Sequence, residues 1–94
     1  MATAPTTYWV YILRSDRIPR SYIGLAEDVD ARLRQHNEGR SQWTARYRPW
    51  RCVFRRAFPD LTQARQFENL LKRQKGGRGF YKYTGLTPPD PRDT

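Results

Sequence analysis

One acidic residue stands alone in a basic part of this sequence, and it is the first candidate for chemistry. Glu68 is the sole acid between residues 61 and 86, a stretch that also carries six lysines or arginines. It borders the apolar stripe of a predicted helix, where it could simply pair with Lys72 four residues on, a surface contact worth about 0.3–0.5 kcal/mol. Its isolation among bases favours a functional carboxylate instead.

Two further candidates share one stripe of another predicted helix. Arg32 and His36 are four residues apart, so their side chains are neighbours on the helix surface. A guanidinium group can hold a phosphate through two parallel hydrogen bonds. Taken alone, however, Arg32 is one of many arginines, and His36 would more often be a solvated helix residue than a catalyst.

The overall charge indicates what kind of partner these residues meet. Eighteen lysines and arginines stand against nine acids, a net charge of +9. Such an excess suits a polyanion, and nucleic acid is favoured over a membrane because no apolar run is long enough to span one. No small-molecule ligand is indicated. The bases expected to contact DNA are Arg34, Arg40, Arg46, Arg48, Lys72 and Lys75.

Length and composition predict one small domain. The 94 residues leave room for a single core, which thirteen aromatic side chains would largely fill. We expect a disordered N-terminus over residues 1–7, a folded domain over 8–86 and a disordered proline-rich tail over 87–94. A single cysteine, Cys52, excludes an internal disulfide, and the absence of a signal-peptide pattern predicts an intracellular, cytoplasmic protein.

The candidate residues need a scaffold, and residues 8–25 predict its first part. The run 8–13 reads as a strand buried on both faces and therefore central in its sheet. The segment 21–25 is its hairpin partner. If the loop between them is symmetric, Tyr11 lies directly opposite Tyr22 and both side chains share one face.

The rest of the chain supplies helices and one more strand. A helix begins after the N-cap Asp28 and stops near Gly39. A long polar loop with Trp43 and Tyr47 follows, then a half-buried strand over 50–58 in which Arg56 breaks the alternation. A second helix runs from Asp60 to residues 76–77, and 80–83 add a short closing element. The predicted fold is α+β, a small three-stranded antiparallel sheet flanked by helices in the order β-β-α-β-α.

Four segments, in order, form a recognisable pattern. Residues 9–11 (Trp-Val-Tyr) and, ten intervening residues later, 22–24 (Tyr-Ile-Gly) resemble the two-part signature of the GIY-YIG nucleases. Residues 28–37 are similar to that family's first helix, which carries an arginine four residues before a histidine. Residues 66–68 (Gln-Phe-Glu) resemble its second helix, which carries the metal-binding glutamate. The first motif lacks its glycine, and Leu25 stands where some relatives have a lysine.

The resemblance implies hydrolysis of a phosphodiester with one divalent ion, Mg²⁺ or Mn²⁺, held by Glu68. It makes Tyr11 the general base for the attacking water, with Tyr22 assisting, Arg32 on the scissile phosphate, and His36 helping in proton transfer or phosphate contact. Gly24 is a structural part of the motif. Because a free tyrosine has a pKa of about 10, activity should rise toward alkaline pH.

Alternatives remain at each position and for the whole chain. Tyr11 and Tyr22 could be core aromatics, Trp43 and Tyr47 either stack on bases or pack within their loop, and Cys52 suits a small core position. The leading function is a metal-dependent DNA endonuclease, selecting branched, flapped or damaged DNA by shape. The alternatives are a non-catalytic nucleic-acid-binding module and a nuclease subunit that a protein partner targets.

Overall fold

A computed structural model describes residues 6–75 and 77–86 of the chain. The elements are β1 (Tyr8–Ser15), β2 (Ser21–Ala26), α1 (Val29–Asn37), α2 (Gln42–Ala45), β3 (Trp50–Phe58), α3 (Leu61–Gln74) and α4 (Arg78–Thr84). The predicted disorder over 1–5 and 87–94 lies outside the described residues. Within them, no helix combines the length and apolar character needed to cross a membrane.

The three strands form one antiparallel sheet in the order β2-β1-β3. The predicted central position of the first strand is confirmed, because Val10, Tyr11, Ile12 and Leu13 are each no more than 1% exposed. Alternate side chains of β1 therefore point into two separate layers of packing. The α+β class and the three-stranded sheet are confirmed.

The predicted hairpin register was wrong by two residues. Tyr11 lies opposite Gly24, and Tyr22 lies opposite Leu13. The strand continues to Ser15, whose hydroxyl accepts hydrogen bonds from the next turn's backbone N–H groups at 3.0 and 3.3 Å, so the turn begins later than expected. Because side chains alternate with a period of two, Tyr11 and Tyr22 still share one face, as predicted.

A bulge explains the irregular pattern of β3. Leu13 pairs with Cys52 and Ile12 with Phe54, so one extra residue, Val53, is accommodated between them. The bulge moves Phe54 to the face opposite Cys52. Arg56 follows Phe54 on that face, where its guanidinium lies over the rings of Phe58 and Phe67, which belong to the core.

Helices cover both faces of the sheet. The amphipathic helix α3 begins at its cap Asp60, whose carboxylate accepts from the backbone of Gln63, and packs with α4 on one face. The other face carries α1, capped by Asp28 as predicted. The five predicted elements are present. Two short helices were not predicted as helices: α2 lies within the predicted polar loop, and α4 forms the predicted closing element.

Candidate active site

Tyr11 is held flat against the backbone of its neighbouring strand. A Cβ atom added to Gly24 would lie 2.5 Å from both the Cζ and the hydroxyl oxygen of the Tyr11 ring. Only glycine leaves that space, because no real Cβ atom approaches another heavy atom so closely. The glycine of the second motif therefore positions the tyrosine of the first, and Tyr11 is 1% exposed as a result.

Three rings meet above this point of the sheet. The Tyr22 ring centroid lies 6.3 Å from that of Tyr11 and 4.7 Å from that of His36. The Tyr11 hydroxyl lies 3.4 Å from His36 Nε2. Both tyrosines also serve the packing of this face, so the core-aromatic alternative is true of them without removing them from the site.

His36 is buried, contrary to the expectation of a solvated helix residue, at 1% exposure. Its Nδ1 atom lies 2.9 Å from the Thr44 hydroxyl, which is 3.4 Å from the carbonyl of Ser41. One arrangement satisfies every group: Tyr11 donates to Nε2, Nδ1–H donates to Thr44, and Thr44 donates to Ser41. Burial, followed by the Arg32 charge, lowers the pKa of His36, so its ring is neutral at neutral pH.

The segment that supplies Thr44 is fastened to the end of the sheet. The indole Nε1 of Trp50 donates to the Thr44 carbonyl at 2.7 Å. The Asn37 side chain makes two hydrogen bonds with the backbone of Trp50, at 2.6 and 3.0 Å. These contacts join the end of α1, the helix α2 and the start of β3. The orientation of His36 is therefore fixed by tertiary structure on both sides.

Arg32 and burial act in opposite directions on the candidate base. Burial is the largest influence and raises the pKa of Tyr11 above its ordinary value, while a hydrogen bond from Arg32 and its charge lower it. Negative charge on Tyr22 and on Glu68 raises the pKa of Tyr11 further. The guanidinium also donates to Gln35 at 2.7 Å. Arg32 is half-buried between the helix surface and the two tyrosines.

Glu68 reaches the same region from α3, which contacts β1 and β2. Its side chain is 9% exposed, and its Oε2 atom lies 3.3 Å from Lys72 Nζ. The predicted ion pair exists, and it joins a buried carboxylate to a half-exposed lysine. Among the described residues, no group of three or more His, Cys, Asp or Glu side chains could hold a metal ion. A single carboxylate still suits Mg²⁺, which keeps several water ligands.

Lysines and aromatics line a groove beside Tyr22. Its pocket of about 330 Å³ is bounded by Tyr22, Ile23, Trp43, Lys72 and Lys75. Of the bases predicted to contact DNA, Lys72 and Lys75 therefore lie beside the candidate site. The other four, which are exposed elsewhere, are Arg34, Arg40, Arg46 and Arg48.

Sequence reasoning missed Thr44 as a neighbour of the site. A threonine inside a polar loop carries no signal of burial, yet Thr44 is fully buried against His36. It also left open whether Trp43 packs within its loop or is exposed for stacking on bases. The ring does both, since it packs on Trp50 and remains 41% exposed.

The structure combines an α+β domain with a candidate site of tyrosine, arginine and glutamate residues in a basic setting. Residues 7–83 match the GIY-YIG catalytic domain. The chain belongs to the GIY-YIG family, a family of nucleases, and the resemblance drawn from its motifs is confirmed. Nucleases of this family generally use a divalent metal ion.

Curated relatives extend the comparison. A structure-specific endonuclease subunit SLX1 of Meyerozyma guilliermondii is 42% identical over 82 residues, covering 80% of this chain and 28% of that protein. The proteins of the same name from Scheffersomyces stipitis and Debaryomyces hansenii are 42% and 40% identical over 76 residues, covering 72% of this chain and 23% and 22% of theirs. The chain thus spans about a quarter of the length of these relatives.

Proposed function

We propose that this chain is the catalytic domain of a metal-dependent DNA endonuclease that selects branched, flapped or damaged DNA by shape. The observation that carries the proposal is the meeting of Tyr11, Tyr22, Arg32 and His36 at one point of the sheet, with the buried Glu68 close enough to influence Tyr11. A module that only binds nucleic acid needs arginines and lysines, but it has no need for this polar cluster.

In the proposed reaction, Arg32 holds the scissile phosphate through its remaining donors while it hydrogen-bonds to the tyrosines. Tyr11, as phenolate, removes a proton from the attacking water, and the water oxygen forms its bond to phosphorus as the ester oxygen leaves. Tyr22 is half-exposed above Tyr11 and orients that water. The burial of His36 supports a role in orienting the Tyr11 hydroxyl through Nε2 before that hydroxyl ionises, rather than direct phosphate contact.

Glu68 is the proposed ligand for one Mg²⁺ or Mn²⁺ ion. Bound there, such an ion would neutralise developing charge and stabilise the leaving oxygen. The carboxylate is suited to this role because it lies near Tyr11, whose pKa its charge raises, and is paired with Lys72. A cation that replaces Lys72 as the partner of Glu68 keeps the buried negative charge compensated.

Cleavage of end-labelled duplex, single-stranded, flap and four-way-junction DNA tests the function, with Mg²⁺ or Mn²⁺ and with a chelator. We expect metal-dependent cutting by the wild type and its loss in Glu68→Ala and Glu68→Gln. Asp60→Asn, which changes an acid at the start of the same helix, is the matched control and should still cut. Binding of every substrate without cutting would instead favour the non-catalytic module.

A subunit that requires a partner is the second candidate, and one observation favours it. The SLX1 relatives carry the word subunit in their names, and this chain spans about a quarter of their length. A protein partner would then supply targeting to particular DNA structures. If the isolated chain binds metal and DNA but cuts weakly, addition of a cognate partner should restore cleavage, and Glu68→Ala should remain inactive.

A further inference from the structure

The groove beside the candidate site presents an aromatic ring that the proposed chemistry does not use. Trp43 is 41% exposed, and its ring centroid lies 6.1 Å from that of Tyr22. It stacks on Trp50 at 5.8 Å with the planes 30° apart, and Tyr47 meets it edge-on at 5.5 Å. Aromatic neighbours therefore hold the ring in place while part of it faces solvent.

Positive charge is concentrated around this ring. Trp43 and Lys75 line both the pocket of about 330 Å³ beside Tyr22 and an adjoining pocket of about 160 Å³ that Arg20 borders. Burial lowers the pKa of Lys75, and the charges of Arg20 and Lys72 lower it further. Since like charges repel here, an anion in the groove would relieve the repulsion.

We propose that this groove binds one unpaired nucleotide of the DNA substrate, with the base stacked on Trp43 and the phosphate against Lys72 and Lys75. The inference rests on the proposed function and names the feature that the site selects, a single-stranded segment beside the scissile phosphate. Aromatic stacking accepts every base, because every base has a π face. The groove therefore reads strand structure and not sequence.

Lys72 links the groove to the metal ligand. Its ammonium group pairs with Glu68 at 3.3 Å and also lines the groove. This pair uses one of the three donors of the Lys72 ammonium group, so the other two can contact a phosphate. Lys75 donates to the Ser21 carbonyl at 2.6 Å, which uses one of the three donors of its ammonium group. Both lysines can thus contact a nucleotide phosphate without leaving the groove.

The test uses flap DNA with 2-aminopurine at the first unpaired position, titrated with protein in chelator so that no cutting occurs. We expect the wild type and Trp43→Phe to quench the probe. Trp43→Leu should lose the quench and bind the flap about tenfold or more weakly, with blunt-duplex affinity unchanged. Trp9→Leu is the matched control, because Trp9 is a partly buried tryptophan under Arg55, outside the groove.

Two results would overturn the inference: an undiminished quench in Trp43→Leu, or equal losses of flap and duplex affinity in that variant. Parallel cleavage assays separate this failure from failure of the proposed function. If the wild type cuts in a metal-dependent way without any quench, nucleotide binding in the groove is disproved and the nuclease function stands. If the quench depends on Trp43 but the wild type does not cut, the nuclease function is disproved and nucleotide binding in the groove stands.

Discussion

The two faces of the sheet differ in what they bury. Under α3 and α4 the core is apolar, with Val10 and Ile12 of β1 packed against Phe67, Leu71 and Phe80. The face under α1 buries a hydroxyl, an imidazole and a second hydroxyl in one hydrogen-bonded series. Since β1 contributes alternate residues to both, a single strand supplies apolar packing on one side and Tyr11 of the polar cluster on the other.

This difference between the two faces shows where exact side-chain geometry is needed. An apolar face tolerates small adjustments, since contact and volume are all that it requires. Buried polar groups require a partner for each donor, because an unpaired one costs about 1–3 kcal/mol. Substitutions on the two faces should therefore separate stability from activity, and the following predictions test that separation.

The largest effect is expected at Tyr11. Tyr11→Phe removes the hydroxyl but keeps the ring against Gly24, so cleavage should fall by roughly 10²- to 10⁴-fold with the fold retained. Tyr8→Phe makes the same change on the apolar face and should leave the rate unchanged. Single-turnover cleavage and thermal unfolding of both variants give the comparison. Equal activity of Tyr11→Phe and wild type would remove Tyr11 from the reaction.

The pH profile should show the next largest effect. Burial holds the pKa of Tyr11 above its usual value of 10, so its phenolate fraction grows about tenfold per unit between pH 6 and 9 without levelling off. The cleavage rate should rise in the same way, and the residual rate of Tyr11→Phe should not. A level wild-type profile would mean that the Tyr11 phenolate is not the base.

Leu71→Ala breaks the apolar face and should act mainly on stability. Leu71 is fully buried, so its truncation should lower the free energy of unfolding by about 2–5 kcal/mol. The cleavage rate per folded molecule should change little, because Leu71 belongs to the apolar core cluster and Tyr11 and Tyr22 belong to the other one. Urea denaturation and active-site titration measure the two quantities. A large rate loss in fully folded protein would show that the faces are coupled.

The smallest effect is expected at Thr44, where two variants distinguish packing from hydrogen bonding. Thr44→Val keeps the shape but leaves His36 Nδ1–H without its acceptor, at a cost of about 1–3 kcal/mol. Thr44→Ser keeps the hydroxyl and should restore both stability and the His36 ring NMR signals of the wild type. If Ser and Val behave alike, the methyl contact matters more than the hydrogen bond.

Much of this could be predicted from local patterns. The apolar run of β1 and the caps Asp28 and Asp60 depend on near neighbours in the chain, and these predictions were confirmed. The burial of His36 was not predicted, because it depends on the distant Thr44 and Tyr11. The hairpin register was not predicted correctly, because it depends on how far β1 continues into the turn. The bulge at Val53 was missed for the same kind of reason, since one extra residue leaves only a broken alternation in the sequence.

The sequence by itself determined the class of fold and the basic character, because hydrophobic period, capping and charge are local properties, and its motifs supplied the candidate residues for the site. Only the tertiary structure decided which groups meet. The clearance of Gly24 for the Tyr11 ring, the burial of His36 against Thr44 and the approach of Glu68 each join residues distant along the chain. Such contacts depend on the packing of helices on the sheet, which no short segment specifies.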